Sequence, residues 1–119
     1  MPTINPKLDM TVSGVPRVIW EGAATGDTLT PFVLQQQYGL AGSLQAVGTF
    51  GGATIGLQVS NDGTNWATAK DLGGNNVTTT TAAGYFEISL SGAYIRPTIT
   101  GGSGNDIDII VVLRGSHAL

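Results

Sequence analysis

Side chains that could carry acid–base chemistry are sparse in this sequence of 119 residues, which has one histidine and no cysteine. The histidine, His117, lies in the last three residues. General acid–base catalysis needs a titratable group held in a site, whereas chain ends are commonly mobile. We therefore expect no Ser-His-Asp arrangement, and we predict that the chain is not an enzyme.

Carboxylates are the next candidates, as metal ligands. Asp106 and Asp108 lie two residues apart on one face of a predicted strand and could share a Ca²⁺ ion, but such ions usually take about six to eight oxygen ligands. Asp62 could also be a ligand, yet a turn carboxylate can accept hydrogen bonds from its own backbone amides. We favour the interpretation without a metal, and we expect no cofactor.

The sequence does not indicate a site for phosphate-bearing ligands. The Gly-rich stretch 101–104 would need a following helix N-terminus to cradle a phosphate, and the sequence predicts none. The chain has five Lys or Arg residues against eight Asp or Glu, a formal net charge of -3. The basic residues are scattered: Lys7, Arg17, Lys70, Arg96 and Arg114. Direct binding of nucleic acid is not expected.

Aromatic side chains offer a different chemistry, since Trp20, Trp66 and Tyr94 could stack on a sugar ring if they lie on a sheet face. For Trp66, packing in the core is the preferred interpretation, because aromatic residues tend to be buried. Arg96 is expected to pair with Glu87 across a hairpin rather than to bind a ligand.

The elements that must position these residues are β-strands. Hydrophobic residues make up 41% of the chain, charged residues only 11%, and there are 18 glycines. No long window has helical spacing of apolar residues, and the period that recurs is two. In the stretch 53–60, Ala53, Ile55, Leu57 and Val59 share one face. This alternation predicts a half-buried strand. The length of 119 residues leaves room for one hydrophobic core and therefore predicts a single domain.

Turn signals separate further strands. A strand over 43–50 precedes the one over 53–60, and Gly51-Gly52 between them predicts a tight hairpin. Other turns are predicted at 61–65 and 72–76, and other strands at 17–21, 29–34, 85–90 and 93–100. Pro97 lacks an amide donor, so its strand should lie at an edge or carry a bulge. The run 106–114 is apolar on both faces in its second half and predicts the central strand.

About eight short strands predict an all-β fold, an antiparallel β-sandwich or jelly-roll-like domain over residues 17–115. Residues 1–16 contain three prolines and predict an extended N-terminal arm, and 116–119 form a C-terminal tail. The arm has four apolar residues that need a groove on another protein: Ile4, Leu8, Met10 and Val12.

Membrane association is not expected. The first ten residues lack the pattern of a secretory signal, and no run approaches the roughly 18 apolar residues of a membrane span. We expect the chain to be made in the cytoplasm.

Three stretches resemble a widespread type of small phage structural protein encoded among head genes: GTFGGATIGLQVSNDGTNW (48–66), YIRPTITGG (94–102) and IDIIVVLRG (107–115). The resemblance covers about the last two-thirds of the chain. It implies a β-sandwich or barrel on the virion surface, commonly a trimer or other oligomer at capsid symmetry axes. Such a capsid decoration protein binds the major capsid protein and has no catalytic residues. Tail and connector proteins of the same class remain open.

A rival resemblance rests on Ser60, Asp62, Gly63 and Trp66 with Tyr94-Ile95-Arg96, which are similar to signatures in discoidin-like, galactose-binding sandwich domains. Such domains bind sugars or lipid head groups. This chain is shorter, lacks paired cysteines and has no cluster of Arg and His around an aromatic platform. The virion protein is therefore the preferred interpretation, and the sugar-binding module is the alternative.

Overall fold

The regular structure is entirely β in a computed structural model that describes residues 2–12, 15–34, 41–79, 84–89 and 92–114. Within these ranges no helix could span a membrane. The strands are β1 Thr3–Ile4, β2 Lys7–Val12, β3 Val15–Ala23, β4 Thr28–Leu29, β5 Phe32–Val33, β6 Ala41–Thr49, β7 Thr54–Ser60, β8 Ala67–Thr68, β9 Thr78–Thr79, β10 Gly84–Ser89, β11 Tyr94–Thr100 and β12 Asp106–Arg114. Apart from β2, which falls in the predicted arm, the longer strands overlap the predicted runs. The run predicted over 29–34 is divided between β4 and β5, and two-residue strands raise the number above eight.

The first sheet has five antiparallel strands in the order β10-β6-β12-β3-β2. β12 lies at its centre, where Val111 is opposite Leu44 of β6 and Val18 of β3. The predicted central position of the run 106–114 is therefore confirmed. One face of β12 is fully buried, as its period of two requires: Ile107, Ile109, Val111 and Leu113.

The second sheet has the order β5-β11-β7-β8, and β9 also pairs with β7. The predicted position of Pro97 at an edge is confirmed locally, because β5 pairs with β11 only at Tyr94 and Ile95. Pro97 is opposite Leu57, whose own backbone bonds go to Val77 and Ala69 on the far side of β7. The missing amide of Pro97 thus faces the open edge and interrupts no ladder.

The hairpin predicted at Gly51-Gly52 is wrong, because β6 belongs to the first sheet and β7 to the second. The turn itself exists, with φ of 59° at Gly51 and 86° at Gly52. The Gly51 carbonyl accepts a hydrogen bond from the Ser103 amide at 3.0 Å, and a Cβ on Gly51 would lie 2.1 Å from the Ser103 carbonyl oxygen. This close approach turns the chain across to the other sheet instead of back along β6.

The inner faces of the two sheets share one core, which gives a sandwich-like arrangement. Trp20 of the first sheet is fully buried in it, and its indole Nε1 donates to the Thr30 carbonyl at 2.9 Å. The two sheets also join along one side, where the Ser89 amide donates to the Lys70 carbonyl at 3.0 Å.

The N-terminal residues lie on the domain instead of extending away from it. β1 pairs in parallel with β4, and β2 pairs with β3 as the edge strand of the first sheet. This differs from the arm predicted over 1–16. Pro2 and Pro6 fall outside the strands, and Pro16 falls beside a register shift between β2 and β3, so none of them removes a regular ladder bond. The predicted tail, 116–119, lies outside the described residues.

Adjacent residues of β12 should differ in their contribution to stability. Ile109 is fully buried, whereas Ile110 points to the outer face and is half-buried. Ile109→Ala should lower the free energy of unfolding by about 2–5 kcal/mol, because it leaves a cavity in the core. Ile110→Ala, the matched control, should lower the free energy of unfolding by a clearly smaller amount. Urea unfolding measures both, and equal losses would contradict the assignment of faces.

Candidate functional site

A group of large polar and aromatic side chains lies on the outer face of the second sheet. Arg96 of β11 places its Cζ atom 4.1 Å from the centroid of the Trp66 ring, a cation–π contact. The Arg96 Nε donates to Oε1 of Gln58, the opposite residue on β7, at 2.8 Å. Tyr94 lies on the same face, two residues before Arg96. We call Gln58, Trp66, Tyr94 and Arg96 the arginine–tryptophan surface.

Two expectations about these side chains are wrong. Trp66 is half-buried on the outer face and does not belong to the core, which Trp20 occupies instead. Arg96 does not pair with Glu87 across a hairpin, because Glu87 lies on β10 of the first sheet, opposite Ser43. Of the three aromatic residues considered for sugar stacking, Trp20 is excluded by its complete burial.

The turn that precedes Trp66 is held by the carboxylate of Asp62, as the sequence predicted. Its Oδ1 accepts hydrogen bonds from the amides of Thr64 and Asn65, both at 2.8 Å, and from the Ser60 hydroxyl at 3.0 Å. The backbone bonds from Asn65 and Thr64 are the main causes that hold the pKa of Asp62 far below its usual value. These bonds account for Asp62 without a bound ion.

The turn also positions Tyr94. Gly63 has φ of 76°, and a Cβ built on it would meet Cζ of the Tyr94 ring at 3.4 Å. The ring therefore packs over the turn, and a side chain at position 63 would crowd it. One local element thus supports two members of the arginine–tryptophan surface.

Of the pair Asp106 and Asp108, Asp108 has a structural role at an irregular point of the first sheet. Oδ1 of Asp108 accepts a hydrogen bond at 2.9 Å from the amide of Gly22, which lies where the register between β3 and β12 shifts. Gly22 has φ of 65°, which a residue with a side chain rarely adopts. Among the described residues, no three His, Cys, Asp or Glu side chains group in a way that could hold a metal ion.

The four apolar residues of the predicted arm are distributed differently. Ile4 packs against the core, whereas Leu8 on the edge strand β2 is 49% exposed. Met10 and Val12 also lie on β2, and their side chains are outside the described part of the structure. Leu8 is thus the described member of this set that offers apolar surface to another molecule.

The outer face of the first sheet has an apolar centre. Four aliphatic side chains on it are half-buried, and we call them the aliphatic stripe: Ile19, Val47, Ile110 and Val112. Ile110 lies opposite Ile19, which forms the middle of the stripe. Beside it on β2 and β3, Lys7 pairs with Glu21 at 2.6 Å, and Arg17 pairs with Asp9. Two of these four residues, Ile110 and Val112, belong to the second half of β12, which the sequence shows to be apolar on both faces.

Comparison with known proteins identifies a fold but no family. No protein-family model matches the chain, and no curated protein matches it. A solved structure described as "Crystal structure of SPBc2 prophage-derived protein YomS" is similar to it, with a TM-score of 0.63 and 10% sequence identity. The alignment covers 88% of this chain and 99% of that one. At this identity the likeness shows a shared β fold.

Asp62 should make the stability of the turn depend on pH. Because folding lowers its pKa, the carboxylate stabilises the fold above its unfolded pKa of about 3.9, and this contribution is lost as the pH falls below that value. Asp62→Asn should lower the melting temperature at pH 7. The melting temperature of this variant should also fall less between pH 7 and pH 2 than that of the unchanged protein. Calorimetry at several pH values measures this, and an unchanged pH dependence would contradict it.

Proposed function

We propose that this chain is a non-enzymatic structural protein of a phage particle, and most specifically a capsid decoration protein that binds the major capsid protein and stabilises the shell. In this proposal it acts on the capsid surface after assembly in the host cytoplasm. It forms a homo-oligomer, with a trimer favoured. It binds neither nucleic acid nor membrane directly.

The observation that carries the proposal is the aliphatic stripe. A sheet that faces water on its outer side normally alternates buried apolar residues with polar ones. Here Ile110 and Val112 are apolar on that outer face, and no described element is packed over them as a further layer. A half-buried apolar centre with charged residues beside it is the composition expected of a surface that contacts another protein.

The fold comparison supports the phage part of the proposal. The similar structure is described as prophage-derived, and 99% of its length aligns with this chain. A small all-β domain in which several charges are engaged in turns and ion pairs suits a structural role. The non-enzymatic part is supported by the roles of Asp62 and Asp108, which hold backbone amides of the fold itself.

In this proposal the N-terminal segment is part of the folded domain, and a single side chain of it, that of Leu8, is tested for contact with the capsid. Deletion of residues 1–14 would remove β1 and β2 and leave the edge of β3 open, so loss of binding after that deletion would not report on contact alone. Leu8, at 49% exposure, can be changed without removal of a strand.

Leu8→Glu should reduce the amount of protein that sediments with purified shells of the phage that encodes it, because a charge would replace an apolar contact. Leu72→Glu is the matched control, since Leu72 is 61% exposed and lies in a turn of the other sheet region. Full binding by Leu8→Glu at an unchanged melting temperature would remove Leu8 from the contact surface.

The double change Ile110→Thr and Val112→Thr tests the aliphatic stripe itself. Threonine keeps the β-branched shape that suits a strand but adds a hydroxyl that an apolar contact would have to desolvate. Shell binding should fall at least tenfold, while circular dichroism keeps its β spectrum. If the folded variant binds shells like the unchanged protein, the stripe does not attach the chain to the capsid.

A further inference from the structure

We propose that the arginine–tryptophan surface is a second docking site, which binds a carboxylate of an acidic segment on a partner protein. This inference rests on the proposed function, in which that partner is another virion protein. It concerns the outer face of the second sheet, opposite the aliphatic stripe, and therefore a separate contact.

The guanidinium of Arg96 is oriented before any partner arrives. Its Cζ atom lies over the Trp66 ring, 4.1 Å from the ring centroid, and its Nε donates a hydrogen bond to Oε1 of the uncharged Gln58 amide at 2.8 Å. The Nε edge is therefore used, and the two terminal nitrogens make no hydrogen bond to any described residue. These two nitrogens form a fork that matches the two oxygens of a carboxylate.

Arg96 also makes no ion pair with any described residue, although Asp27 lines the same cavity as Arg96. Lys7 and Arg17 each have a carboxylate partner, whereas Arg96 has only the amide of Gln58. The remaining side chains that alternation places on this face of β7, β8, β9 and β11 include six hydroxyls: Thr54, Ser60, Thr68, Thr78, Thr98 and Thr100. A partner carboxylate would supply the missing negative charge.

A rigid frame lowers the entropy cost of binding at this surface. The Asp62 carboxylate fixes the turn before Trp66, and Tyr94 packs over Gly63 of the same turn. Side chains that are already ordered lose little freedom when a partner binds. Trp, Tyr and Arg are also the residue types that contribute most to binding at protein interfaces.

The same geometry disfavours a sugar. A pyranose ring binds an aromatic platform by stacking on the open face of the ring, but here the guanidinium of Arg96 already lies over Trp66. The polar group at the centre of the surface is therefore a cation whose two terminal nitrogens make no hydrogen bond to any described residue. Its preferred ligand is an anion, and in a protein partner that anion is an Asp or Glu side chain.

A titration followed by ¹H–¹⁵N NMR tests the docking site on the full chain. The probe is a capped peptide, Thr-Glu-Thr-Glu-Thr, and its matched control has Gln in place of Glu. The Trp66 indole and Arg96 Nε signals should shift with the Glu peptide only. The indole signal of Trp20, which is buried and bonded to Thr30, should stay in place and serves as an internal reference.

Variants define the role of the fork. Arg96→Gln should weaken binding of the Glu peptide about tenfold or more, since a charge-assisted bidentate contact is lost. Lys70→Gln is the control, because Lys70 is an exposed cation whose bonded partner, Asn76, is also neutral. Equal shifts with both peptides, or no shift, would overturn the proposal. A shift with a hexuronate oligosaccharide but not with the peptide would overturn it in favour of a sugar site.

Sedimentation with phage shells separates this inference from the proposed function. If the unchanged protein sediments with shells but does not bind the Glu peptide, the docking inference fails while the proposed function stands. If the unchanged protein does not sediment but binds the Glu peptide through Arg96, the proposed function fails and the carboxylate site stands.

Discussion

Burial of the inner face of β12 is the constraint on which the remaining structure depends. β12 pairs along one edge with β6 and along the other with β3, and its inward side chains are 0–1% exposed. The period of two then leaves no choice for the intervening residues, so Ile110 and Val112 must lie on the outer face. The aliphatic stripe is thus a direct consequence of how the core residues are placed.

Local signals in the sequence were sufficient for much of the fold. The alternation in β7 and β12, the edge position of Pro97 and the turn held by Asp62 each depend on a few neighbouring residues, and each was predicted. The partners of the strands were not predicted well. A period of two identifies the buried face of a strand, but it does not identify the sheet to which the strand belongs.

The predictions that are wrong fail because they depend on which strands pair with each other. The pair Gly51-Gly52 indicates a turn, yet β6 and β7 separate at contacts with residues some fifty positions further on, where Ser103 bonds to Gly51 and Asn105 bonds to Phe50. The expected pairing of Arg96 with Glu87 failed for the same reason, since their strands lie in different sheets. The N-terminal residues were assigned to an arm because of their prolines, and the pairing of β2 with β3 depends on the register of the prolines relative to the ladder.

The position of Trp66 has a further physical reason. The tendency of tryptophan to be buried predicts a core residue, but the core already contains Trp20, and the inner face of β7 is occupied by Ile55 and Leu57. On the outer face, Trp66 gains a cation–π contact from Arg96 that partly offsets its exposure. The two outer faces of the domain consequently differ in character, one apolar beside internally paired charges and one polar around a single oriented cation. Under the proposed function, a domain of this kind can contact two different neighbours at once, which is what a protein that reinforces a shell has to do.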